Sequence, residues 1–192
     1  MTEIQSRLPA GWTTSTLGKI RQDRSRGIDP KKHPEERFEL YSVPSFQLRT
    51  PEILFGREIG SNKRTVEIGT VLLCKINPRI NRVWVVAGHS SYPKIASTEW
   101  IPFFAVEGVV PQYLCYYLST NAVRAYLAAH VSGVGGSLMR VNASAIKNYP
   151  LPLAPFNEQH RIVTKIEELI GALESGSNSL QAAKARLRQY RQ

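Results

Sequence analysis

The hydrophobic positions of this chain follow two rhythms. Up to about Phe156 they come in short runs, each closed by proline, glycine or a cluster of charge. FELYSVPSF alternates and predicts a strand broken at Pro44. TVEIGTVLLCKI predicts a turn at Gly69 and then a buried strand from Val71 to Ile76. NPRIN reads as a turn, and RVWVVAG as the next apolar strand. STEWIPFFAVEG is a candidate strand pair. PQYLCYYLSTNAVRAYLAAHV opens on a proline suited to a first helical turn, and Leu114, Tyr117, Leu118 and Ala122 recur at helical spacing. GWTTSTLGKI is a polar lead into an apolar end, 21–37 a charged loop, and SGVGGSLMRVNASAIKNYPLPL a glycine-rich loop with a closing segment.

From Asn157 the rhythm changes. Ile162, Ile166, Leu169, Leu173, Gly176, Leu180, Ala183, Leu187 and Tyr190 fall on alternating steps of four and three. That is the heptad seam of a coiled coil, with Asn157 placed to cap the helix and Glu158 to complement its positive end. A helix packed only on its own domain is the alternative, but a helix of this length spans about 50 Å, more than such a domain needs. The seam stops in mid-pattern at AKARLRQYRQ, without a glycine cap or a proline stop. This predicts either a longer natural chain or a half-length product, and an apolar stripe seeking a partner helix. Ahead of the helix stand Pro150, Pro152 and Pro155, a stiff, extended lead-in. The pattern as a whole predicts an α+β protein: a mixed α/β domain over 1–156 and one long coiled-coil helix over 157–192.

Charge narrows the function. The 192 residues carry 25 Lys+Arg against 15 Asp+Glu, a net +10, which attracts polyanions. From Arg49 to Lys94 there are eight basic residues against three acids, and from 19 to 37 seven against four, whereas 95–156 holds three against two. Bases concentrated in loops and at strand ends suit double-stranded DNA. A solvated surface is the alternative for any one of them. KINPRINR stands out, because a turn at Asn77-Pro78 exposes Arg79, Asn81 and Arg82, side-chain types that read guanine and adenine edges. SGVGGSLMR offers bare amides and Ser137 to phosphates, or serves as a connector. The candidate DNA contacts are Arg26, Lys31, Lys32, Arg57, Lys63, Arg64, Lys75, Asn77, Arg79, Asn81, Arg82, Ser137 and Arg140. Catalytic chemistry is not evident. His33, His89, His130 and His160 are scattered, Cys74 and Cys115 have no metal-ligand spacing, and the glycine loop lacks a Gly-Lys-Ser/Thr ending. The two cysteines sit in apolar runs and read as buried free thiols, which suits a reducing cytoplasm. No apolar run reaches the length of a membrane span.

Three stretches together carry a resemblance. LPAGWTTSTLGKI, SGVGGSLMRVNASAIKNYPLPLAPFNEQHRIV and the heptad helix resemble, in this order, one half of a type I restriction-modification specificity subunit (the S subunit, HsdS). APF stands where that family more usually has a double proline. The resemblance implies a non-catalytic target recognition domain that reads half of a bipartite DNA site. It also implies a conserved helix that pairs antiparallel with a second half, or with another copy of this chain, through Ile162, Ile166, Leu169, Leu173, Leu180 and Leu187. Methylation and restriction subunits are the implied partners, with S-adenosylmethionine, ATP and Mg expected on them and no cofactor or metal in this chain. The recognition part of a fused methyltransferase-nuclease, and a coiled-coil DNA-binding adaptor, are the alternatives.

Overall fold

The computed structural model describes residues 8–132 and 139–189. Thr13–Thr16 forms β1 and Leu17–Ile20 a single turn, α1. Then come β2 (Gly27–Ile28), β3 (Arg37–Tyr41), β4 (Glu52–Phe55), β5 (Lys63–Thr65), β6 (Val71–Cys74), β7 (Val83–Val85), β8 (Lys94–Ser97) and β9 (Trp100–Phe103). Helices α2 (Pro111–Leu118) and α3 (Asn121–Ala129) precede β10 (Val131–Ser132), β11 (Arg140–Val141), β12 (Pro150–Leu153) and the long α4 (Phe156–Gln189). A five-stranded sheet runs β2-β5-β8-β3-β4, and a three-stranded sheet β7-β6-β9. The expected α+β architecture with a terminal long helix is the one observed.

The uninterrupted apolar run of β6 is explained by its place between two cores. Val71 and Leu73 face Leu17, Leu114, Leu118, Val123 and Leu127, whereas Leu72 and Cys74 face Tyr41, Trp84 and Trp100. A central strand covered on both faces needs no polar alternation. Trp100 joins the sheets, donating from Nε1 to the Tyr41 carbonyl at 2.9 Å. Beneath the five-stranded sheet Glu39 is fully buried. Ser90 Oγ lies 2.6 Å and Tyr41 Oη 2.7 Å from its carboxylate, with Lys94 Nζ at 3.5 Å. Burial acts to raise its pKa, but the Ser90 and Tyr41 hydrogen bonds and the Lys94 charge hold it below the usual carboxylate range.

Four expectations about the strands and the first helices are corrected. STEWIPFFAVEG does not form a pair: it holds one strand, β9, which bonds β6, and only the last residue of β8, a strand of the five-stranded sheet. The predicted single helix is two, since Thr120 accepts Val123 N–H through its side chain and restarts the helix as α3. The loop 21–37 contains β2, paired with β5. The proline lead-in is itself a strand, β12, paired antiparallel with β1 (Thr14 opposite Pro152, Thr16 opposite Pro150).

Proline is tolerated in β12 for a geometric reason. Successive residues of a strand bond to opposite sides. The Pro150 and Pro152 carbonyls accept the hydroxyls of Tyr117 (2.6 Å) and Tyr113 (2.7 Å) from α2. Their missing N–H groups therefore fall on the side away from β1, and Leu151 and Leu153 serve the ladder. The β1 end is equally tight. Gly18 N–H donates to the Lys147 carbonyl at 2.8 Å, and a Cβ at Gly18 would stand 2.7 Å from that oxygen.

Helix α4 starts at Phe156, so Asn157 lies inside its first turn and does not cap it. The Pro155 carbonyl accepts the N–H groups of Glu158 (2.8 Å) and Gln159 (3.0 Å). Val163 is buried with Val110 and Tyr113. Ile162 and Ile166 line an apolar cleft with Tyr113, Tyr116 and Tyr117. Glu167 and Ile170 line a further cleft with Trp84, Cys115 and Tyr116, and beyond them the described side chains of the helix are exposed. No helix among the described residues is long and apolar enough to cross a membrane.

Candidate nucleic-acid interface

The turn between β6 and β7 is built by two asparagines. Asn77 (φ 47°) and Asn81 (φ 50°) adopt the left-handed conformation that asparagine tolerates better than most residues, and they bracket a 3-10 turn at Pro78–Ile80. The turn leans on the helices through Asn81, whose Nδ2 donates to the Leu118 carbonyl at 3.0 Å. That donor is therefore committed to holding the turn. Arg79 is exposed at the apex, and Arg82 is half-buried with its guanidinium 3.5 Å from the Ile76 carbonyl.

The same turn stands beside the feet of the glycine loop. Asn77 N–H donates to the Met139 carbonyl (3.0 Å), Val141 N–H to the Lys75 carbonyl (3.1 Å), and Ile76 bridges Arg140. Two candidate segments far apart in sequence, KINPRINR and SGVGGSLMR, thus meet. Arg140 grips Glu99 through Nε and a terminal nitrogen at 3.1 and 3.2 Å, a bidentate pair that fixes its plane. Ser137 lies outside the described residues.

The remaining bases belong to the five-stranded sheet and its 3-10 turns. Arg26, Lys31 and Lys32 are exposed. Arg57 pairs with Glu35 at 2.5 Å and lies over the Phe55 ring at 4.2 Å, and Arg64 reaches Asp23 (3.3 Å) and Ser25 (3.0 Å). Lys63 departs from the expectation of a solvated contact. It is buried, its ammonium donates to the Ser61 carbonyl (2.7 Å) and hydroxyl (2.6 Å), and burial lowers its pKa. A cleft of about 360 Å³ opens over it, lined also by Glu52, Glu58 and Glu99.

Two arginines were not singled out in the sequence. Arg37 stands directly across the β3–β4 ladder from Phe55, 4.7 Å from that ring and 5.9 Å from Tyr92. Arg49, left-handed at φ 53°, stacks on Phe46 at 4.0 Å. The usable signal for Arg37 is the pairing register, which sets it opposite the aromatic Phe55, and a guanidinium N–H donates to the Tyr92 hydroxyl at 3.3 Å.

Among the described residues no group of three or more His, Cys, Asp or Glu could hold a metal. Both cysteines are free, Cys74 buried and Cys115 half-buried, and burial pushes the Cys115 thiol up to about 11, far from a reactive thiolate. Along α4 the predicted seam divides. Ile162 and Ile166 face their own domain, Leu169 is 54% exposed, and Leu173 and Leu180 are 74% exposed. The Leu187 side chain lies outside the described set.

The fold is shared with known proteins. The specificity subunit of the type I restriction enzyme EcoEI from Escherichia coli is 23% identical over 189 residues, covering 92% of this chain and 32% of that protein. The HsdS subunit from Thermoanaerobacter tengcongensis superposes with a TM-score of 0.77 at 23% identity, over 91% of this chain and 46% of that one. A chain from a structural study of complex assembly and conformational transition of the type I R-M system gives a TM-score of 0.73 at 25% identity, over 88% and 44%. The chain thus spans a third to a half of the length of these relatives. The family model for the type I restriction modification DNA specificity domain matches residues 62–182, so the chain belongs to that family.

Proposed function

We propose that this chain reads one half of a bipartite double-stranded DNA site for a type I restriction-modification system and recruits its methylation and restriction subunits. The domain over 1–156 is the reader, and the helix over 157–192 is the spacer and pairing element. The chain itself is non-catalytic in this reading, and S-adenosylmethionine, ATP and Mg act on the partner subunits. The observation that carries the proposal is the meeting of the Asn77–Asn81 turn with the feet of the glycine loop. In it Lys75, Arg79, Arg82 and Arg140 come from two neighbouring segments of a family member, which supports the reading. Exposed Arg79 is positioned for a base edge or a phosphate, whereas Arg26, Lys31 and Lys32 suit backbone contacts. The exposed Leu169, Leu173 and Leu180 supply the surface for a second recognition half or a second copy.

The test begins with the methylated motif of cells carrying the system, which gives the site. Affinity for that site is then measured with the methylation subunits present. Arg79→Ala is expected to weaken cognate binding by about 1–3 kcal/mol if it makes a bidentate base contact. Each phosphate contact is expected to add roughly 0.9 to the log–log salt slope. Wild-type affinity in the variant removes this turn from the interface, and salt-independent binding removes the electrostatic reading.

A further inference from the structure

Gln159 sits in the first turn of a helix that is otherwise mostly solvated, where a glutamine is normally exposed. Here it is 1% exposed. Its Oε1 accepts the Val110 N–H at 2.9 Å, and its Nε2 donates to the Gly108 carbonyl at 2.8 Å and to the Ala154 carbonyl at 2.9 Å. One side chain therefore ties together three segments: the turn that leads into α2, the end of β12, and the base of α4. Both amide protons are used, on the Gly108 and Ala154 carbonyls. The apolar contacts of Val163 beside it hold the helix down but leave its direction loosely defined, since packing is not directional. Hydrogen bonds weaken steeply with angle, so three converging on one amide define a direction.

Direction matters because α4 is a lever. It runs for 34 residues, about 50 Å at 1.5 Å per residue. A tilt of about 5° at its base moves the far end by roughly 4 Å, about one base step of DNA. Leu151 and Leu153 in the β1 ladder, with the Tyr113 and Tyr117 hydroxyls on the other side, fix the strand from which the helix departs. Gln159 then fixes the helix to that strand. We propose that Gln159 is a positioning residue that sets the angle between the recognition domain and α4, and thereby the spacer length accepted between the two halves of the DNA site. The spacer clause rests on the proposed function; the angular clause does not.

Gln159→Met keeps the reach of the side chain and removes all three hydrogen bonds, and Gln159→Glu keeps the acceptor for Val110 but turns a carboxylate towards two carbonyls. The first readout needs no DNA. Nitroxide labels at Thr98→Cys and Glu168→Cys, both exposed positions and the second at the docked half of α4, in a Cys115→Ser background, report the distance distribution between domain and helix. Both variants are expected to broaden it at least twofold while helicity by circular dichroism stays at the wild-type level. The second readout is methylation, with the methylation subunits, of DNA carrying the cognate spacer and spacers one base pair shorter and longer. Discrimination among spacers is expected to fall by roughly fivefold to tenfold, with activity on the best spacer retained, as a lost directional clamp requires. A merely structural role would lower activity on all three spacers alike. Should Gln159→Met not fold, Gln159→Glu carries the same readouts. Wild-type distance widths in a folded variant overturn the proposal, as does an unchanged spacer profile. A wild-type chain that supports no methylation of any split site refutes the proposed function instead, and the distance measurement then decides on Gln159 alone.

Discussion

The near and far halves of α4 carry the same four-and-three spacing and meet opposite fates. In the near half Ile162, Val163 and Ile166 pack on Tyr113, Tyr116 and Tyr117, with Gln159 buried beneath them. In the far half Leu173 and Leu180 stand 74% exposed. The difference lies in the residues flanking the seam. Packing on a globular surface takes a wide apolar stripe, and Val163 beside Ile162 widens it, whereas a narrow a/d stripe suits a partner helix. One periodic pattern thus serves first as a dock and then as an unpaired seam.

The largest effect is expected from breaking the dock. Val163→Asp buries a charge among Val110, Tyr113 and Ile162, and should cost about 3 kcal/mol or more in urea unfolding. A loss below 1 kcal/mol would show that the near half is not docked in solution. Next comes the domain on which the near half leans. Glu39→Gln removes the charged partner of Ser90, Tyr41 and Lys94, and should cost about 2–3 kcal/mol near neutral pH. The Glu39 pKa is lower folded than unfolded. Its contribution is therefore complete above the unfolded value of about 4.3 and is lost as pH falls through the folded value. The difference between wild type and Glu39→Gln should accordingly shrink on acidification below about pH 4, as chemical denaturation across pH reveals. A difference that grows in acid contradicts the burial network. A smaller effect, about 1 kcal/mol, is expected for Tyr117→Phe, which strips one hydroxyl from the Pro150 carbonyl. The smallest belongs to the far half. Leu173→Glu with Leu180→Glu should change the unfolding free energy of the lone chain by no more than about 0.5 kcal/mol. It should nevertheless abolish any self-association seen by light scattering, and a large stability loss would place these leucines in a fold contact.

How much of this was legible in sequence depends on the range of the interaction. The buried strand expected over Val71 to Ile76, the turn at Gly69 and the long helix follow from local pattern, and all are present, though the strand ends at Cys74. The separation of β8 from β9 is not local, since each finds its partner far along the chain. The proline segment was legible as extended but not as a strand, because its pairing relies on tyrosine hydroxyls from α2 to take the outward carbonyls. Among the candidate contacts, the basic excess could be counted but burial could not. Lys63 turns inward to Ser61, and Asn81 spends its amide on Leu118. Arg37 needed the register that sets it opposite Phe55. Gln159 stood in the sequence as part of a family-like stretch, and only the three converging bonds reveal what it holds.

Amide hydrogen exchange along α4 tests the division of the helix most directly. It is best read in the isolated chain at a concentration where light scattering gives a monomer, and again with the methylation subunits added. Amides from about Arg161 to Glu167 are expected to exchange only with global unfolding, and those from Leu173 to Gln189 to exchange rapidly until the partner is present. Uniform protection along the whole helix in the monomer, or uniformly fast exchange including the turn that carries Val163, would contradict the account.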